Sequence, residues 1–145
     1  ASMREYKLKA KISDEYKNNP KMNHLCGKWV TFTGFNLAGT IATVSPLESI
    51  GFDFIHIDYE TICQYTGLKD KYGTEIYEKD ILFNVKDYRM KYLHIWWDKQ
   101  ECFYNLSLVG GFNVKKLTAR NVHKAKVVGN MNELEKLQNS PVGLK

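Results

Sequence analysis

The sequence predicts a mainly β domain, barrel-like or a sandwich, with SH3-like strand turns and a short C-terminal helix; an α+β arrangement is the alternative. Three observations predict it. Short runs rich in β-branched and aromatic residues recur along most of the 145 residues. Gly, Asp and Asn turns rather than helical stretches separate those runs. A capping-box spacing opens a helix of any length at one place, Asn132 with Glu135.

The elements follow in order. Lys28–Phe35 alternates around Trp29, Thr31 and Thr33, and Gly34 and Gly39 punctuate the run. Residues 40–44 read as a β-branched strand. Ser45-Pro46 reads as a short helical turn, with Ser45 capping and Pro46 first in the helix. Phe52, Phe54 and His56 alternate with Asp53, Ile55 and Ile57 as opposite faces of a strand. Residues 64–81 form a hairpin. Asp70 bonds its own downstream backbone in a type I turn, Gly73 supplies the left-handed residue, and Glu75, Ile76 and Tyr77 begin the return. Ile81–Val85 pairs with Lys91–Trp97 across a turn containing Asp87, and a further hairpin turns through residues 98–101 into Cys102–Leu108. Gly110-Gly111 breaks the run, and Asn121–Val128 is read as the last strand. Leu134 and Leu137 give the terminal helix its apolar face. Ala1-Ser2 before Met3 reads as a cloning remnant, residues 4–138 as a single domain, and 139–145 as a flexible tail.

Composition narrows the function classes. A chain of this length buries about two-thirds of its unfolded surface, enough for a core without staples. No apolar run approaches the roughly 18 residues a membrane span needs, and no signal peptide is visible. Cys26, Cys63 and Cys102 are odd in number and widely spaced, which argues against a disulfide framework and for a reducing cytoplasm. Net charge is +5, and residues 101–145 carry seven basic against three acidic residues, which points to an anionic partner.

Catalytic patterns are sparse. His24, Cys26, His56, Cys63, His94, Cys102 and His123 include one close pair, His24-x-Cys26, and no second pair to complete a zinc site. No Gly-x-Ser-x-Gly elbow or phosphate-cradling loop occurs, so neither a catalytic residue, a metal nor a cofactor is expected. The carboxylates Asp58, Glu60, Asp70, Glu75, Glu78 and Asp80 leave an enzyme as a third alternative, but Asp70 is accounted for by its turn and lysines interleave with the rest.

Binding is the stronger reading. Lys115, Lys116, Arg120, Lys124 and Lys126, with His123, fall in a stretch free of carboxylates between Glu101 and Glu133. Read as a strand, Arg120, Val122, Lys124 and Lys126 share one face that could follow a phosphate backbone of DNA or RNA, with Phe112, Trp96 and Trp97 as stacking surfaces. The competing account is an edge strand guarded by lysines against aggregation. Tyr88, Tyr92, Trp96 and Tyr104 are the candidate anchors of a protein interface, and open β edges permit a homo-oligomer.

The string Tyr65-Thr66-Gly67-Leu68-Lys69-Asp70-Lys71, then Gly73, Glu75-Ile76-Tyr77-Glu78 and Asp80-Ile81, resembles the signature of the YopX family of bacteriophage and prophage proteins. Residues 4–10, Trp29-Val30, Trp97-Asp98 with Phe103, and Val127-Val128-Gly129-Asn130 are similar to further family segments. Lys79 departs from the usual Gly, and Met131-Asn132-Glu133 from the usual Ile-Tyr-acid. The resemblance implies a phage setting in a host bacterial cytoplasm, and no assigned chemistry. It implies a non-enzymatic accessory protein whose partner is a host protein or ribonucleoprotein, an inhibitor of a defence system such as a CRISPR nuclease being one form. The alternative is a nucleic-acid-binding protein using residues 115–126.

Overall fold

The computed structural model describes residues 6–134, and the chain divides between Gln64 and Tyr65 into two compact units. The described residues are mainly β, in antiparallel sheets, with one short α-helix among them.

In the first unit β1 (Leu8–Lys11) pairs with β2 (Trp29–Phe32), Ala10 facing Val30 and Leu8 facing Phe32. The alternation read around Trp29 follows from this register. Val30 and Phe32 point inward, fully buried, while Trp29 lies half-buried with the Lys9 ammonium 4.5 Å from its ring centroid. A second sheet joins β3 (Phe35–Ala38), β4 (Ile41–Val44) and β5 (Ile55–Ile57). Ala42, Val44, Ile55 and Ile57 join Leu8, Ala10, Val30 and Phe32 in one core. Burying the larger of these side chains contributes about 2 kcal/mol each.

Ser45-Pro46 does not form the expected helical turn. The Leu47 N–H donates to the Thr31 carbonyl at 2.8 Å, and the Glu48 carboxylate accepts the Thr31 N–H at 2.9 Å. Bonds to a neighbouring strand satisfy the backbone better than one isolated turn.

The strand β6 (Cys63–Lys69) opens with Cys63 and Gln64 paired to Lys9 and Leu8, and its remainder pairs with β7 (Glu75–Tyr77) in the second unit. The second unit's main sheet has the order β11-β10-β9-β8-β12, built from β8 (Asp80–Val85), β9 (Tyr88–Asp98), β10 (Phe103–Leu108), β11 (Asn113–Lys116) and β12 (Lys126–Asn130). Its core gathers Ile76, Leu82, Val85, Leu93, Ile95, Leu106, Val122 and Ala125. The hairpins expected around Asp87 and residues 98–101 are present, with Val85 facing Tyr88 and Asp98 facing Phe103.

The segment read as a last strand is divided. Ala119–Val122 is the helix α1, capped by the Thr118 hydroxyl accepting the Asn121 N–H at 3.2 Å, and pairing begins only at Lys126. Val122 and Ala125 are both fully buried, a spacing of three that suits one helical turn and not alternate strand faces. At the end of the described chain Met131–Glu133 form a 3-10 turn capped by Asn130, not Asn132: the Asn130 side chain accepts the Asn132 N–H at 2.9 Å. Glu135, Leu137 and the 139–145 tail lie outside the described residues, as do residues 1–5.

Candidate functional site

The signature turn is a structural hub. Asp70 Oδ1 accepts the N–H groups of Tyr72 at 2.8 Å and Thr74 at 2.9 Å, and Oδ2 accepts the Val127 N–H at 2.9 Å. Gly73 takes the left-handed φ of 81° that closes the turn. The Lys71 N–H reaches the Ala125 carbonyl at 2.9 Å, so the turn covers part of the free edge of β12. Asp80, fully buried, plays a similar part: Oδ2 accepts the Tyr77 N–H and Oδ1 the Asn130 amide, each at 2.8 Å. Between them Lys79 holds a left-handed φ of 69°, its N–H on the Ile95 carbonyl and its carbonyl accepting from Met131 N, both 2.7 Å. The usual Gly of the resemblance at this position has a reason in that φ. Burial and the neighbouring Glu75 carboxylate push the Tyr77 phenol well above its ordinary range, and its hydroxyl donates to Glu75 Oε1. These carboxylates are therefore committed to holding backbone. Among the described residues no group of three His, Cys, Asp or Glu could hold a metal ion.

A different set of residues converges on a cleft. The β8–β9 hairpin turns through Lys86-Asp87, a register shift falls at Asn84 between Phe83 and Val85, and Asn84, Asp87 and Met90 are left-handed, φ 68°, 70° and 62°. Asn and Asp adopt that region at little cost, Met does not. Three bonds fix the hairpin against distant chain. Asn84 Nδ2 donates to the Lys124 carbonyl at 3.2 Å, the Lys86 N–H to the Asn121 carbonyl at 3.0 Å, and Lys115 Nζ to the Lys86 carbonyl at 3.0 Å. The result is a hollow of about 580 Å³ between the hairpin and α1. Lys86, Arg89, His123 and Lys124 line it, with the amides of Asn84 and Asn121.

Its electrostatics are one-sided. Lys86, Arg89 and Lys124 are exposed and have no carboxylate partner among the described residues. The one acid in the wall, Asp87, is paired at 3.1 Å with Lys115. His123 Nδ1 lies 2.8 Å from the Arg120 carbonyl, an acceptor only, so Nδ1 carries a proton there. A second hollow, in the first unit, has the opposite sign, with Asp14, Asp58 and Glu60 beside Leu37 and Tyr59. Anions are drawn to the first and repelled by the second.

The residues singled out from sequence scatter over this surface. Lys124 lines the cleft, and Lys115 braces its floor through Asp87. Lys116 lies on β11 with Nζ 4.3 Å from the Phe103 ring, Arg120 is exposed on α1, and Lys126 is exposed on β12, 5.9 Å from the Tyr72 ring. Arg120, Lys124 and Lys126 thus do not share a strand face. Of the aromatic candidates, Tyr88 and Tyr92 are half-buried, Tyr92 against Phe83 with centroids 5.1 Å apart. Trp96 bonds Ser107 Oγ at 2.7 Å. Tyr104 is buried edge-on against Trp97, which puts its ring in the core and not on a contact surface. Sequence reasoning passed over Lys86, Arg89, Asn84 and Asn121. The available signal was the run Asn84–Arg89, an Asx-rich turn with cations on both sides of Asp87.

No helix among the described residues is long and apolar enough to cross a membrane. Residues 9–137 match the family model described as YopX protein. No curated protein matches the chain.

Proposed function

The chain belongs to the YopX family and is phage-associated, and from that premise we propose that it is a non-enzymatic accessory protein that binds a host or phage macromolecule through the cationic cleft. The partner is a nucleic-acid-bearing assembly, a host ribonucleoprotein in the first place, and a guide-RNA-loaded defence nuclease would be such a target. One observation carries the reading: among the described residues, Lys86, Arg89 and Lys124 have no carboxylate partner and line one concave surface whose one described acid, Asp87, is paired with Lys115. A phosphate backbone supplies the missing anions, and releasing its counterions favours binding. The commitment of Asp70 and Asp80 to backbone N–H groups supports a role without chemistry. A second reading, direct binding of free DNA or RNA, draws on Tyr72, exposed with the ammonium groups of Lys71 and Lys126 5.6 and 5.9 Å from its ring, which offers a stacking surface beside positive charge.

The test is affinity purification from host lysate, with and without nuclease treatment, using the wild type and an Arg89→Glu/Lys124→Glu double variant. The reading expects a stoichiometric partner with the wild type and none with the variant. A partner held equally by both would overturn it. If free nucleic acid is the ligand, mobility shifts should weaken about 20–40-fold from 50 to 200 mM salt, the dependence expected for about three neutralised phosphates.

A further inference from the structure

We propose that β3 is a docking edge for an extended peptide of another protein, one that carries a lysine or arginine two positions from an apolar residue and adds to the sheet as a further strand. All the residues involved lie in the first unit, so this surface stands or falls independently of the cationic cleft.

The register of the second sheet is the starting point. Phe35 faces Val44 and Leu37 faces Ala42, and directly opposed side chains share one face of a sheet. Val44 and Ala42 are fully buried in the core, so Phe35 and Leu37 lie on the core side. They are nevertheless 42% and 46% exposed. The core face thus continues as an open apolar strip, which Tyr59 extends by packing edge-on against Phe35, centroids 5.7 Å apart.

The edge of β3 is also undefended. The strand ends its sheet, with β4 as its one strand neighbour among the described residues. Lys, Pro or a bulge blocks most such edges. Phe35–Ala38 holds neither Lys nor Pro, and its pairing with β4 keeps register throughout. By contrast β11 carries Lys115 and Lys116, and the signature turn covers part of β12.

Charge selects the occupant. Leu37, Ile57 and Tyr59 line a hollow of about 500 Å³ together with Asp14, Asp58 and Glu60. None of these three acids has a cationic partner among the described residues. A side chain set opposite Leu37 on an added strand lies beside this hollow. Lys or Arg suits that position, its aliphatic stem covering Leu37 and its charged end meeting the acids. The residue two positions away faces Phe35 and is apolar. A second copy paired through β3 brings the same acids and no cation, so it is the poorer match.

Calorimetric titration of the full chain with the peptide KTVTKTVT, against ETVTETVT and KTSTKTST, tests this, with amide exchange over Phe35–Ala38 as a second readout. KTVTKTVT should bind and slow exchange at alternate β3 amides, and each control peptide should bind about tenfold more weakly. Asp58→Asn/Glu60→Gln, which keeps an acceptor for the Glu60 N–H, should also cost about tenfold. Leu37→Lys should abolish binding, whereas Ile41→Lys, equally exposed on the opposite sheet face, should leave it unchanged. Equal affinity for ETVTETVT, no binding at millimolar peptide, or binding without β3 protection would overturn the proposal. A dimer in sedimentation with β3 amides already protected would overturn it in favour of a second copy.

Discussion

Replacing Asp70 by Asn probes the hub of the signature turn with the least change in shape. The residue is 7% exposed, and its carboxylate accepts three backbone N–H groups, two within its own turn and one from Val127 on β12. An Asn side chain can keep Oδ1 on Tyr72 and Thr74, but its NH2 then meets the Val127 N–H, donor against donor. The loss is one charge-assisted bond together with an N–H left unpaired, about 2–3 kcal/mol. Asp70→Ala forfeits all three bonds and should cost about 3–5 kcal/mol, short of additive because the loosened turn regains water. Urea unfolding followed by tryptophan fluorescence in a Trp29→Phe background reports the second unit alone, since Trp96 and Trp97 both lie there. With a slope near 1 kcal/mol/M for a unit of this size, Asp70→Asn should lower the midpoint by about 2–3 M. Amide exchange should quicken at Val127 while Tyr72 and Thr74 stay protected. A midpoint within about 0.3 M of wild type, with Val127 exchange unchanged, would refute the reasoning.

Three further outcomes follow from the same geometry. Gly73→Val should cost about 2 kcal/mol, all of it conformational, because a Cβ there meets nothing within 4 Å while φ is 81°; Gly73→Asn should recover much of the loss in the same unfolding assay. Lys79→Gly should stabilise the second unit by about 0.5–1 kcal/mol, since relief of the left-handed strain exceeds the added chain entropy, and a lower midpoint would contradict that balance. Burial lowers the pKa of His94 on β9, so the unfolded chain takes up its proton first as pH falls. The stability His94 contributes is whole above its ordinary value of about 6.5 and declines as pH drops through that value toward the folded one. His94→Gln should flatten the melting temperature between pH 7.5 and 5, and an unchanged slope would remove His94 as the cause.

Legibility in the sequence tracked the range of the forces involved. The Asp70–Gly73 turn, the β8–β9–β10 hairpins and the alternation around Trp29 were readable, because turn chemistry and alternation act within a few residues. Residues 121–125 carry a local helical signal, Thr118 at the cap position with apolar Val122 and Ala125 three apart, and only Lys126 onward follows the strand expected over 121–128. The conformation of Ser45-Pro46 has no local sign, since it is dictated by Thr31 on a separate strand. The cleft belongs to the same class. Asn84 meets Lys124 across 40 residues and Lys115 reaches Asp87 across 28, and no local pattern encodes either meeting.

By itself, then, the sequence determined the β class, the family signature and the positive balance of the last third, all consequences of residue type and near-neighbour order. Only the tertiary structure decided which cations act together. Sheet pairing carried Lys116, Arg120 and Lys126 to separate positions and set Lys86 and Arg89 beside Lys124. The physical reason is that a side chain's electrostatic neighbours are fixed by strand register and long-range hydrogen bonds, which depend on the whole chain's burial and not on adjacency along it.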